Sequence, residues 1–265
     1  MDESDYEWWD IDESGIAAAV YAILAPIQLG DREYTDWHEF ASNHPGAAYA
    51  WNVGQRHDAL RASVVSLRLV QKLVKVNDGL PLPTPVGHID RYEWARLCVD
   101  TLLFRFSSIR DQAFHLANEV RQLGITDRAL TLGRLEKVAA DAPFLRPLRQ
   151  VASAGEGIRR ERNERAHQGF QRPITRDRYF ERLSMSETAQ RTGPRLSIWG
   201  FNSGGDFVEE SNADAYDLKA SYVEIMRGLT DEFLPACRSL LEHLSTFLDA
   251  LYEDFEARYA SLQLP

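Results

Sequence analysis

With 265 residues, 44% of them apolar, the chain can bury one sizeable core with an appended subdomain. A net charge of −10 argues against a surface that coats polyanions at large. The first apolar stretch, Ile16 to Ile27, is too short to span a bilayer and follows acids rather than a basic leader, so a soluble, cytoplasmic protein with no membrane partner is expected.

Residues 1–13, MDESDYEWWDIDE, form an acidic leader in which Trp8 and Trp9 are candidates for docking on the body or on a partner. Ser14 can cap a helix from Gly15 to about Leu29, interrupted near Pro26 and ended by Gly30. Asp31 to Gly46 reads as polar and turn-rich, with Trp37 and Phe40 as anchors to the core. From about Ala48 to Val76, Leu60, Val64, Leu67, Val70 and Val74 recur at the helical period and predict a long amphipathic helix. Asn77-Asp78-Gly79 and the proline-punctuated run LPLPTPVG stop it. The main internal boundary is placed there, dividing an extension, residues 1–88, from a helical bundle, residues 89–265.

Asp90 can cap the next helix, reaching about Leu123, with Trp94, Leu97, Cys98, Leu102, Phe106, Ile109, Ala113, Leu116 and Val120 as its buried stripe. Asp111, His115 and Asn118 follow at i, i+4 and i+7, placing an acid, an imidazole and an amide on one face. After Gly124, Thr126 or Asp127 caps a short helix through Asp141. Pro143 then suits the first turn of a helix that carries Leu145, Leu148, Val151 and Ile158 and runs on to His167. Residues 170–212 break the helical pattern: Leu196 to Phe201 and Phe207-Val208, joined by Asn202-Ser203-Gly204-Gly205, read as a small β-hairpin. Arg172, Arg176, Arg178, Arg182, Arg191 and Arg195 lie there beside Tyr179, Phe180 and Trp199, a mixture suited to stacking unpaired bases and gripping their phosphates. Ala213 to about Leu262 is a long amphipathic stretch that Pro235 should kink or divide. Cys98 and Cys237 sit in apolar helical patterns as buried thiols, and the seven histidines show no metal-ligand spacing, so neither a metal nor a cofactor is expected.

The charge is unevenly spread. Residues 159–195 hold ten Arg and five Asp or Glu with no Lys, a local balance of +5 that leaves −15 for the rest of the chain. A single arginine-rich patch on an acidic body fits a grip on one short nucleic-acid segment or an acidic partner. Its densest part runs from Gly157 to Gly169, GIRRERNERAHQG, where Asn163 and His167 lie one turn apart with Arg162 beside them. The same run also fits a solvated helix end, with Glu161 and Arg165 as an i, i+4 pair and His167 favouring the helix dipole.

The series Arg162, Asn163, three variable residues and His167 resembles the Arg-polar-x3-His signature of the HEPN superfamily. The resemblance covers about residues 90–262 and rests on that motif. It implies an all-α, HEPN-like bundle with the 170–212 segment as an inserted long loop or small hairpin. It also implies a metal-independent endoribonuclease acting on single-stranded RNA, a homodimer with two motifs lining one groove, and a toxin or defence role with a cognate inhibitor or protein partner. Arg162, Asn163 and His167 would then be catalytic, Arg159, Arg165, Arg172 and Arg176 would hold substrate, and Asp111 and Asn118 would support the motif helix from behind. The branch of the family paired with nucleotidyltransferases carries a Tyr two residues after the His, where this chain has Gly169, so control by nucleotide transfer to that position is not expected. The alternative is a non-catalytic HEPN-like module that binds nucleotide, RNA or protein through the arginine patch.

Overall fold

The computed structural model describes residues 11–28, 36–75, 91–168, 197–201, 207–211 and 218–263. Apart from one hairpin they are all α, as the periodicity predicts. A short 3-10 turn, Ile11–Glu13, leads into α1 (Gly15–Gln28), followed by α2 (Trp37–Asn43), α3 (Pro45–Lys75) and α4 (Arg91–Val120). Then come α5 (Leu132–Val138), α6 (Leu145–Ser153), α7 (Glu156–Gln168), strands β1 (Ser197–Phe201) and β2 (Phe207–Ser211), and α8 (Leu218–Leu262). The strands pair antiparallel from Ser197 opposite Ser211 to Phe201 opposite Phe207. The leading Trp pair and most of the 170–212 segment, Arg172 and Arg176 included, lie outside the described residues.

Two compact units share these helices. Unit 1 comprises residues 1–67, 105–159 and 235–265, and unit 2 comprises residues 68–104 and 160–234. The long helices α3, α4, α7 and α8 each contribute one part to each unit, so each unit draws on both sides of residue 88.

Unit 1 holds a dense apolar core. Leu60, Val64 and Leu67 of α3, Phe106, Ile109 and Leu116 of α4, and Leu244, Phe247 and Leu251 of α8 are buried, as their spacing predicts. Phe144 meets Phe247 edge-on with centroids 6.2 Å apart, and Tyr49 stacks on Phe255 at 5.4 Å. The Tyr49 hydroxyl donates to the Val120 carbonyl at 2.9 Å, satisfying a buried phenol at the end of α4, and burial raises its pKa. At the edge of the core, Arg121 pairs with Asp254 at 2.8 Å. Ser14 caps α1 as expected, accepting from the Ala17 amide, and also meets buried His57 Nε2 at 2.9 Å.

Five expectations need correction. The Asp31–Gly46 stretch contains a helix, because the Asp36 carboxylate accepts from the Glu39 amide at 2.8 Å and starts α2. Trp37 and Phe40 do not anchor in the core: α2 has no buried residue, and their rings cluster at the surface, 5.3 Å apart. The helix expected from Pro143 to His167 is two helices, because Gly155 takes φ +61° between α6 and α7. In α4, Leu97 is 53% exposed rather than buried, since the core face runs through Cys98, Val99, Leu102, Leu103 and Phe106. At 100° per residue Leu97 lies nearly opposite Val99. Pro235, expected to kink or divide the last helix, lies inside one continuous α8, where the boundary between units falls.

Candidate active site on helix α7

The arginine-rich run folds as α7 because nothing in it resists a helix: one β-branched residue, no proline, and Gly155 to turn the chain before it. Arg165 and His167 occupy its last turn, where positive charge complements the helix dipole. Within unit 2, two parallel links join α7 to α4. The Arg165 guanidinium, 10% exposed, donates to the Asp100 carboxylate at 2.6 Å and has Glu161 at 3.5 Å. One turn away, the Arg162 guanidinium carbon lies 5.7 Å from the centroid of the Phe104 ring. The partners ascend α4 from 100 to 104 while they descend α7 from 165 to 162, so the two segments run antiparallel here.

Those links sort the motif residues by exposure. Arg162 is part-buried, donates from Nη1 to the Asn163 side-chain oxygen at 2.9 Å, and buries an Nε that has no acceptor among the described residues. Asn163 and His167 are exposed one turn apart, and His167 makes no hydrogen bond or ion pair with the described residues. A guanidinium held at a fixed orientation and an accessible imidazole on the same helix end supply a phosphate-binding cation and a group that can exchange a proton. Arg165, by contrast, has its charge committed to carboxylates and ties α7 to α4.

No family model, no curated protein and no solved structure matches this chain. The geometry therefore carries the reading by itself.

Arg159, Asp111 and Asn118 belong to unit 1. Arg159 lies in the first turns of α7; burial lowers its pKa, the Arg110 charge lowers it further, and Glu156 and Asp111 oppose that. Asp111 thus acts electrostatically on one of the arginines expected to hold substrate, while its carboxylate accepts from Arg110 at 2.7 Å. The Asn118 side chain holds the loop after α4, accepting from the Ile125 amide and donating to the Ile125 carbonyl, both at 3.1 Å. His115, on the same face, sits 3.6 Å from Asp127. Phe104 was not legible as a site residue: on α4 it reads as one more apolar position, and only its placement over Arg162 sets it apart.

Among the described residues no helix is long and apolar enough to cross a membrane. Cys98 and Cys237 are both buried free thiols, and burial pushes the Cys98 thiol up to about 11.

Proposed function

We propose that the chain is a metal-independent endoribonuclease of HEPN type, cleaving single-stranded RNA through Arg162, Asn163 and His167. The observation that carries the reading is the end of α7, where a part-buried, oriented Arg162 and an exposed Asn163 precede an accessible His167, which lies one turn after Asn163. In this reaction the 2′-oxygen of one nucleotide attacks the adjacent phosphorus and the bond to the 5′-oxygen of the next breaks. The proton leaves the 2′-hydroxyl and another reaches the departing oxygen. The products are a 2′,3′-cyclic phosphate and a 5′-hydroxyl. His167 moves a proton, Arg162 stabilises charge growing on the phosphoryl oxygens, and Asn163 fixes the Arg162 guanidinium through its side-chain oxygen.

One imidazole can serve only one of the two proton transfers. A homodimer that brings two copies of the motif to one cleft supplies the second, and closed two-fold symmetry is the commonest way to build it. Incubating the purified protein with single-stranded RNA in EDTA tests the reading. Fragments ending in cyclic phosphate and 5′-hydroxyl are expected. Tight RNA binding without cleavage, with or without added metal, would favour the binding-module alternative.

A further inference from the structure

Arg159, in the first turns of α7, is a cation without an acceptor. It is part-buried, its Nε is shielded from water, and it makes no hydrogen bond or ion pair with the described residues. Leaving a buried donor unmade costs more than an ordinary hydrogen bond returns, and an ion is one of the few ways to satisfy it. A second guanidinium lies nearby on α4. Gly155 sets the start of α7 against the Phe106 ring, and Arg110 follows Phe106 by one turn. The Arg110 guanidinium carbon lies 5.7 Å from the Phe114 ring centroid, and its Nε and Nη2 both donate to one oxygen of Asp111, at 2.9 and 2.7 Å. Its Nη1 has no acceptor among the described residues.

Asp111 therefore balances Arg110, whereas Glu156 forms no ion pair with Arg159 and leaves one positive charge uncommitted. Burial and the Arg110 charge together depress the Arg159 pKa, the response of a cation that lacks a counter-ion. The Arg110 and Asp111 side chains are 27% and 45% exposed, so a solute reaches them from water. All these residues belong to unit 1. A guanidinium fork matches two oxygens of a phosphate as well as it matches a carboxylate, so a ligand offers Arg110 the same acceptor that Asp111 does.

We propose that Arg159 and Arg110 form an oxyanion site that takes a phosphate group, with Asp111 as the internal counter-ion that the ligand displaces from Arg110. The site is separate from the cleavage chemistry of Arg162, Asn163 and His167, and it stands whether or not the chain cuts RNA. The phosphate reaches it either as an internucleotide group of a single strand or as free phosphate.

The test gives the full-length protein two probes. One is a short 2′-O-methyl oligouridine, which cannot be cleaved by 2′-oxygen attack, bound over a series of salt concentrations. The other is inorganic phosphate, read as a rise in Tm relative to each variant so that general salt effects cancel. Arg159→Gln should weaken oligouridine binding on the order of 10-fold, lower the salt slope by about 0.7, and lose the specific rise in Tm. Arg110→Gln should do the same from the other helix, so a folding defect in one variant leaves the test standing. Asp111→Asn should tighten both probes by about 2- to 5-fold, because it leaves Arg110 free for the ligand. A residue that merely supports the two arginines would give the opposite sign, and weaker binding in Asp111→Asn would overturn the site. Loss of the phosphate effect alone in Arg159→Gln, with oligouridine binding unchanged, would identify free phosphate as the ligand. Wild-type protein that binds no oligouridine yet is stabilised by phosphate through Arg159 would remove the RNA reading and keep this site. If Arg162→Ala weakens oligouridine binding while neither Arg159→Gln nor Arg110→Gln alters either probe, the site fails and the RNA reading survives.

Discussion

Gly155 offers the sharpest test of how the chain reaches its motif helix. It takes φ +61° at the turn between α6 and α7, and a Cβ built there would stand 2.3 Å from Cε1 and Cζ of Phe106. Both penalties fall on Gly155→Ala. The left-handed conformation costs an L-residue roughly 1–2 kcal/mol. Pushing a methyl group into a ring that is itself fully buried adds about 1–3 kcal/mol, because Phe106 is the rigid body of an aromatic side chain in the core rather than a flexible tip. The sum, about 2–5 kcal/mol, corresponds to a fall in Tm of roughly 5–15 °C for a chain of this size. Gly157, two residues on and inside α7, is the matched control: it has nothing within 4 Å of an added Cβ, and Gly157→Ala should be neutral or gain up to about 1 kcal/mol. Thermal and urea unfolding of the two variants side by side decides the matter. A Gly155→Ala protein within about 1 kcal/mol of wild type would mean that the turn is not held as described.

Three further outcomes are expected. Burial depresses the His57 pKa, with Asp58 and Asp12 opposing and Arg61 assisting, so below about pH 6.5 the unfolded chain binds a proton that the folded chain resists. Stability from His57 is therefore full above that pH and falls as pH drops below it, by up to about 1.4 kcal/mol per pH unit, and His57→Gln should flatten the curve below about pH 6.5. In unit 2, Asp100→Ala strands the nearly buried Arg165 charge beside Glu161, so a double-mutant cycle with Arg165→Ala should return a coupling of about 1 kcal/mol or more; a coupling near zero would deny the α4–α7 tie. For the proposed dimer, mixing inactive His167→Ala subunits with wild type should depress cleavage more steeply than the loss of wild-type subunits, whereas strict proportionality would show that each site works alone.

Much of the fold was legible because the signals were local and repeated. The apolar positions of α3 and the later part of α4 set their buried faces, the Ser14 cap placed the start of α1, and the alternation around Trp199 with a glycine-rich joint gave the hairpin its place. The misses share a cause: a single capping or phase-setting residue outweighed a longer pattern. Asp36 and Glu39 three residues apart start α2 inside a stretch that composition alone makes a loop. Gly155 divides an apolar series that otherwise reads straight through to His167. Leu97 fits the three-to-four spacing yet belongs to the opposite face, because spacing specifies a stripe only to within about a hundred degrees and contacts choose the rest. At the site, the motif showed which side chains share a helix end. Which of them are spent on structure depended on partners distant in sequence: Asp100 holds Arg165, Phe104 lies over Arg162, and His167 is left accessible.

The central claim is that His167 moves protons and does not merely decorate a helix end. Single-turnover cleavage of single-stranded RNA in EDTA, measured for wild type and His167→Ala alongside their RNA affinities, tests it most directly. The account predicts affinities within a few-fold of each other and a cleavage rate about 10²–10⁴ lower in the variant, the usual worth of a general acid–base group. A variant that cleaves at the wild-type rate, or a wild-type protein that binds this RNA and never cuts it, would contradict the assignment.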